Sequence, residues 1–336
     1  MIPNIFAELK KLRNMSAHGL RGSDSELATR LAALGLSVSA ADLPDFGTSL
    51  LQCFGREDGL FYVPQTFLFV LEKMIDGISN GNVCDPCAGL GIVLKHVQEV
   101  VKPAKTFAFT QNEAAAKLGN FVLNLADWHV GDPFQLINTL PDNIDIVASI
   151  LPFGVKANSI RAKIVDGTEL TLDDDLGHSI LAASSMKLSA KGLGLFVVTP
   201  SFFFSKRSVL RQFEKLGLGV TAALALPSGT FAPYTNISTY LIVVKKQLNS
   251  KMFVAQLSTD ANTNLQIIEN FKCGQAGASL ELGCFVDILK FTGISALRSA
   301  ERLEQAERNF NGPAARLGDL AADIKLGRSG DDFSFS

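Results

Sequence analysis

The chain of 336 residues is 47% hydrophobic and 19% charged, which is the make-up of a folded globular protein and excludes the low-hydrophobicity, high-charge pattern of disorder. Its formal net charge of −2 excludes a global positive field, so any contact with nucleic acid has to come from a local patch. The most apolar stretch, Leu193 to Phe204, is interrupted by Thr199, Pro200 and Ser201 and falls short of the ~20 apolar residues that a membrane-crossing helix needs. Glu8, Lys10 and Lys11 interrupt the N-terminal stretch where an export signal requires an apolar run. Five cysteines, an odd number, suit free thiols in a reducing compartment, so the expected location is the cytoplasm.

Residues 1–58 read as a helical region, with helices over Ile5 to Leu12 and Asp24 to Leu34 and with Ser23 or Asp24 as cap. From Gly59 short apolar or β-branched runs alternate with amphipathic segments, the pattern of βα units and a mostly parallel sheet. Pro64 stands where a helix can begin, and Phe67, Leu68, Leu71, Met74, Ile75 and Ile78 follow at helical spacing. Strands are predicted at Val83-Cys84, Thr106 to Phe109, Trp128 to Val130, Asp145 to Ala148, Leu195 to Val198, Ala222 to Leu226 and Ser238 to Val244.

Helices are predicted between most of them, at Val93 to Val101, Glu113 to Leu123, Gly177 to Ser189 and Ser205 to Leu216. The last two strands are joined by Pro227 to Ile237 without a helix, which implies a hairpin and an antiparallel edge strand on the sheet. The expected division is 1–58, a catalytic-type domain over 59–248, and a C-terminal extension over 249–336. The extension holds a strand near Phe253 to Leu257 and helices over Asn262 to Phe271 and Ser295 to Phe310.

The strongest local signal is Val83-Cys-Asp-Pro-Cys-Ala-Gly-Leu-Gly91, a strand running into a glycine-rich turn ahead of a helix. Such a turn lets backbone N–H groups approach a ligand at the carboxyl edge of a sheet, and it is equally the form of an ordinary βα connection. Cys84 and Cys87 form a C-x-x-C pair without a second pair nearby, so no metal site is assigned to them. The acids Asp173 to Asp175 ahead of His178 read as favouring a helix N-terminus, again with no metal. Phe202, Phe203 and Phe204 read as packing residues. Lys206, Arg207, Arg211 and Lys215 read as a solvated helix face, while Lys156, Arg161 and Lys163 are better placed for phosphate contact.

Asp85-Pro-Cys-Ala-Gly-Leu-Gly91 resembles the S-adenosylmethionine loop of adenine-specific DNA methyltransferases, in particular the modification subunits of type I restriction systems. Gly59-Leu-Phe-Tyr-Val-Pro64 is similar to the family's Gly-x-Phe-Tyr-Thr-Pro segment, and Gly131-Asp132 to its acidic position at the cofactor's adenine. Asp145-Ile-Val-Ala-Ser-Ile-Leu-Pro-Phe-Gly154 stands where the family has a strand ending in Asn-Pro-Pro-Phe-Gly. Gly194 to Pro200 and Leu226 to Thr239 look like its later strands.

The resemblance implies a class I, Rossmann-like α/β methyltransferase fold with S-adenosylmethionine as cofactor. It assigns Phe61, Tyr62, Pro64, Asp85, Pro86, Gly89, Gly91, Thr110 and Asp132 to cofactor binding, and Leu151, Pro152 and Phe153 to catalysis. Duplex DNA and a specificity or target-recognition subunit are the implied partners. Ala315 to Gly330 also resembles the opening of a target-recognition domain, so either a partner supplies recognition or the sequence is a fragment of a longer protein.

Two departures bear on the chemistry. Adenine's amine becomes nucleophilic when a side-chain oxygen and a prolyl carbonyl accept its hydrogens, with an aromatic residue stacked on the flipped base. Ile150 stands at the family's Asn and brings no acceptor, an omission expected to remove about 10²–10³-fold in rate by analogy with the loss of one preorganised polar group. The neighbouring hydroxyl of Ser149 could serve only with a register shift that also moves Phe153. Thr110 stands where the family places a ribose-binding Glu, and Glu113 is expected inside the following helix. Three readings stay open: an active adenine methyltransferase, a degenerate methyltransferase-fold subunit that binds DNA or a partner, and a methyltransferase with another substrate.

Overall fold

The computed structural model describes Lys11 and residues 63–124, 126–156, 162–163, 169–170, 175–204, 209–232 and 236–309. Apart from Lys11, which is helical, the expected helical region over 1–58 lies outside these, as do Phe61, Tyr62, Arg161 and the segment 315–330. The chain divides into two units, Met1–Ile294 and Ser295–Ser336.

Among the described residues the first unit is built on a nine-stranded sheet. Helix α1 (Gln65–Ile75) follows the extended Pro64 and buries Phe67, Leu68, Leu71, Met74 and Ile75 of the face predicted for it, while Ile78 lies beyond its end and is half-buried. Strand β1 (Asn82–Asp85), α2 (Ile92–Val101), β2 (Lys105–Thr110), α3 (Glu113–Val122) and β3 (Asp127–Val130) then form successive βα units. Helix α4 (Pro133–Thr139), not among the helices expected from the sequence, opens at Asp132 and Pro133, an Asp cap with Pro in the first turn. Strand β4 (Ile144–Ile150) follows, then the two-residue strands β5 (Ala162–Lys163) and β6 (Glu169–Leu170), which pair with each other.

Helix α5 (Leu176–Met186) ends before the predicted Ser189, because strand β7 (Leu188–Val198) takes over at Leu188, which pairs with Ile144. Lys187 marks the change, donating to Asp142 at 2.6 Å while its backbone carbonyl accepts from Ile144. A short helix, α6 (Ser201–Phe204), precedes the helix predicted over 205–216, of which α7 (Val209–Lys215) is described while 205–208 lie outside the described residues. Strands β8 (Gly219–Ala225), β9 (Tyr240–Lys245) and β10 (Lys251–Gln256), helix α8 (Ala261–Cys273) and strand β11 (Cys284–Asp287) complete the unit. Helix α9 (Ile294–Asn309) starts at the last residue of the first unit, and its residues 295–309 are those described of the second, with an exposed Arg308–Glu304 pair.

The strand order is β11-β10-β8-β9-β7-β4-β1-β2-β3. β9 forms the predicted hairpin with β8 but is not the edge strand, since it runs antiparallel between β7 and β8. The antiparallel edge belongs to β11, paired with β10. Because β10 pairs in parallel with β8, the sheet continues past residue 248 to Asp287, and the expected boundary there falls inside one folded layer. Both faces are covered, as a largely parallel sheet requires. Along β7, Leu193, Leu195 and Val197 join the core beneath α1, α2 and α8, while Phe196 alternates to the opposite face. Phe202 and Phe203 are fully buried, the packing role expected of them.

Candidate functional site

The order of strands explains where a ligand can sit. From β1 the chain moves outward to β2 and β3, then returns to place β4 on the other side of β1. The connections that leave β1 and β4 therefore diverge and open a crevice at their carboxyl ends, the position at which open α/β sheets bind ligands. The two motifs singled out in the sequence are those connections. Val83 pairs with Ile146 and Cys84 with Val147, so the glycine turn after β1 faces the Ile150-Leu151-Pro152-Phe153 segment after β4.

The turn is tied down from three sides. Cys87 N–H donates to the Asp85 carboxylate at 2.9 Å, Ala88 N–H to the Phe109 carbonyl at 2.8 Å, and Gly91 N–H to the Ala88 carbonyl at 2.6 Å. Gly91 caps α2 at φ 73°, a left-handed conformation that disfavours other residues. A Cβ there would also lie 3.0 Å from the ring of Trp128, whose indole N–H donates to the Leu123 carbonyl.

Asp85 lies beneath the turn and is only 1% exposed. It accepts the Ser149 hydroxyl at 2.6 Å as well as the Cys87 N–H, which links β1, its turn and β4. Burial pushes its carboxyl from the ordinary 3.8 up to about 7, against the opposing pull of those two hydrogen bonds. The Ser149 hydroxyl is thereby committed to Asp85. Burial first, then the neighbouring Asp85, raises the thiols of Cys84 and Cys87, the reverse of the setting that activates a cysteine.

A cavity of about 270 Å³ opens between the carboxyl ends of β1, β2, β3 and β4 and the first turns of α5. Pro86, Cys87 and Gly89 form one wall, and Ile150, Pro152 and Leu176 face them. Thr110, Gln111 and Asn112 supply its hydroxyl and amide groups. Ile150 is 7% exposed, so the residue at the expected acceptor position is an apolar wall. Glu113 lies inside α3, with its carboxylate turned to Lys117 at 3.2 Å. Asp132 is exposed and caps α4, accepting from Phe134 and Gln135 N–H, while the adjoining Pro133 lines the cavity.

Leu151 is buried, and the Pro152 carbonyl packs against the first turn of α5, where a Cβ on Gly177 would lie 2.9 Å from it. Phe153 is half-buried and stands edge-on to Phe231, 5.4 Å between ring centres, packed against the hydrophobic core. Pro64 precedes α1, and Lys156 is exposed, its backbone forming an isolated antiparallel β-bridge with that of Asp175, which caps α5. Lys163 lies in β5. Gln111, Asn112, Leu176 and Ile180 also line the cavity and are not among the site residues expected from the sequence. The pair directly after β2 was identifiable, because ligand-facing residues collect at carboxyl ends of strands; the α5 residues had no local signal.

Known structures share this fold. A modification subunit of a proposed type I restriction enzyme from Vibrio vulnificus superimposes with a TM-score of 0.60 at 15% identity, over 74% of this chain and 61% of its own. The methyltransferase subunit of a type I restriction-modification system from Streptococcus thermophilus gives 0.58 at 15% identity, over 80% and 63%. A Listeria monocytogenes protein described as a class I S-adenosylmethionine-dependent methyltransferase gives 0.54 at 17% identity, over 70% and 79%. The chain thus has the class I methyltransferase fold, in the form seen in type I modification subunits, and spans less than two thirds of the first two proteins. No protein-family model and no curated protein matches the sequence.

Proposed function

We propose that the cavity at the carboxyl ends of β1 to β4 binds S-adenosylmethionine and that the chain is a modification-type subunit for adenine in duplex DNA. In this reading its own methyl transfer is impaired by Ile150. The observation that carries it is the meeting of the glycine turn and the Ile-Leu-Pro-Phe segment on adjacent strands around one cavity. The lining fits the ligand: Ile150, Pro133 and Ala115 offer apolar walls to a flat base, and Thr110, Gln111 and Asn112 offer partners to ribose hydroxyls.

When bound, the cofactor supplies an electrophilic methyl group. The chain's part is to position the acceptor. In the proposed role the Leu151 carbonyl takes one hydrogen of the adenine amine and Phe153 turns from Phe231 to stack on the flipped base. Ile150 leaves the second hydrogen without a partner, which lowers the rate by about 10²–10³-fold relative to an Asn. Lys156, with Arg161 and Lys163, would meet DNA phosphates, and a recognition subunit would supply the sequence preference. The setting proposed for this activity is the cytoplasm.

The test is calorimetric titration with S-adenosylmethionine, followed by transfer of labelled methyl groups to duplex DNA with a recognition partner present. Binding with weak transfer that rises in Ile150→Asn supports the proposal. Binding with no transfer in either form points to the catalytically silent subunit, and absence of binding removes the cofactor role.

A further inference from the structure

The edge of the sheet opposite the cofactor cavity carries a second cavity, about 410 Å³ in volume. Its composition is unlike the first. Four lysines line it, Lys191 of β7, Lys245 of β9, Lys251 of β10 and Lys272 at the end of α8, and the lining holds no carboxylate. None of the four has an ion-pair partner among the described residues, whereas Lys187 and Lys95 do.

The pleat explains how the lysines come together. Residues two apart share a face, so Lys191 extends the row of Leu193, Leu195 and Val197, Lys245 extends Leu241 and Val243, and Lys251 precedes Phe253 and Ala255. The three strands end in the same layer because β9 runs antiparallel to β7 and β8, bringing its last residue beside the first residues of its neighbours. Asp287, directly across from Lys251, instead accepts the Leu289 N–H. Beneath the lysines lie Phe271 and Phe285, both against Phe253 at 5.7 and 5.4 Å; Phe285 is 39% exposed, so ring surface is open to a ligand.

Lys191, Lys251 and Lys272 are exposed and Lys245 half-buried, so water and salt screen their mutual repulsion, and an anion seated among them would relieve what remains. Lysines serve as point-charge phosphate binders, and an aromatic floor receives a planar base. The volume lies in the range of small-molecule sites. We propose that this cavity is a second ligand site, for a nucleoside polyphosphate, with Lys191, Lys245, Lys251 and Lys272 on the phosphates and Phe271 and Phe285 under the base. The site is independent of the cofactor reading, because it shares no residue with the cavity at the other edge.

Calorimetric titration of the full chain with magnesium-free ATP at low salt tests it, beside adenosine, tripolyphosphate and duplex DNA as separate probes. The expected result is one ATP site, weakened by added salt and bound more tightly than tripolyphosphate, with adenosine weaker than either. Lys245→Gln together with Lys251→Gln should weaken ATP at least about 10-fold, the loss of charged hydrogen bonds, and leave the thermal unfolding midpoint unchanged. ATP that fails to bind, or binds the double variant equally, overturns the proposal. So does ATP displaced one for one by S-adenosylmethionine, since it would then occupy the other cavity. Tripolyphosphate as tight as ATP removes the nucleoside part, and duplex DNA that binds through the same lysines while ATP does not replaces the nucleotide altogether.

Discussion

Asp85→Asn isolates the energetic consequence of burying a carboxyl beneath the glycine turn. Burial raises the Asp85 carboxyl from 3.8 to about 7, so the folded chain holds that proton where the unfolded chain has lost it. The neutral form's stability is complete below the unfolded value, falls as pH rises, and is exhausted above about pH 7. A rise of this size corresponds to about 4 kcal/mol between pH 4 and pH 8, with a slope of at most about 1.4 kcal/mol per pH unit. The amide of the variant cannot ionise, and its oxygen can still accept from Cys87 N–H and the Ser149 hydroxyl.

The assay is denaturant unfolding of both forms followed by circular dichroism from pH 4 to pH 8. All other titrating groups contribute alike to the two proteins, so the difference reports Asp85. The variant should gain on the parent steadily as pH rises and then hold a constant advantage above about pH 7. Parallel profiles over the whole range would refute the reasoning and mean that the carboxylate is ionised at no penalty where it sits.

Three further substitutions probe the site. Ile150→Asn places an amide in a 7% exposed apolar position and should lower stability by about 2 kcal/mol while raising methyl transfer, read by thermal unfolding and label incorporation. Gly91→Ala forces a side chain into a left-handed turn 3.0 Å from Trp128 and should lose about 1–2 kcal/mol, with a shifted emission from Trp128, the single tryptophan of the chain. Gly177→Ala would press a methyl group against the Pro152 carbonyl at 2.9 Å, which predicts a loss of about 1–3 kcal/mol on thermal unfolding and, if the cavity holds the cofactor, weaker S-adenosylmethionine binding.

Much of the fold was legible from local pattern. Alternating strands and helices announced βα units, and Pro227 to Ile237 announced a hairpin, because turn chemistry and side-chain periodicity act over a few residues. The glycine turn at Asp85 to Gly91 was recognisable for the same reason, its backbone demands being written in residue types. The apolar residue at the acceptor position, Ile150, was equally visible, since an identity needs no coordinates.

Which strands become neighbours was not legible, because pairing is decided by burial of whole faces between segments far apart in sequence. Hence β9 lies inside the sheet and β10 and β11 extend it beyond residue 248. The burial that raises the Asp85 carboxyl also depends on β4 lying beside β1, 64 residues away in sequence at Ser149. The same holds for the lysines of the second cavity: antiparallel β9 brings Lys245 beside the amino ends of β7 and β8, β10 runs parallel to β8 with Lys251 at its start, and Lys272 comes from the end of α8. Sequence alone determined the residue types and local turns of this protein; tertiary pairing decided which side chains are buried, which meet, and where charge collects.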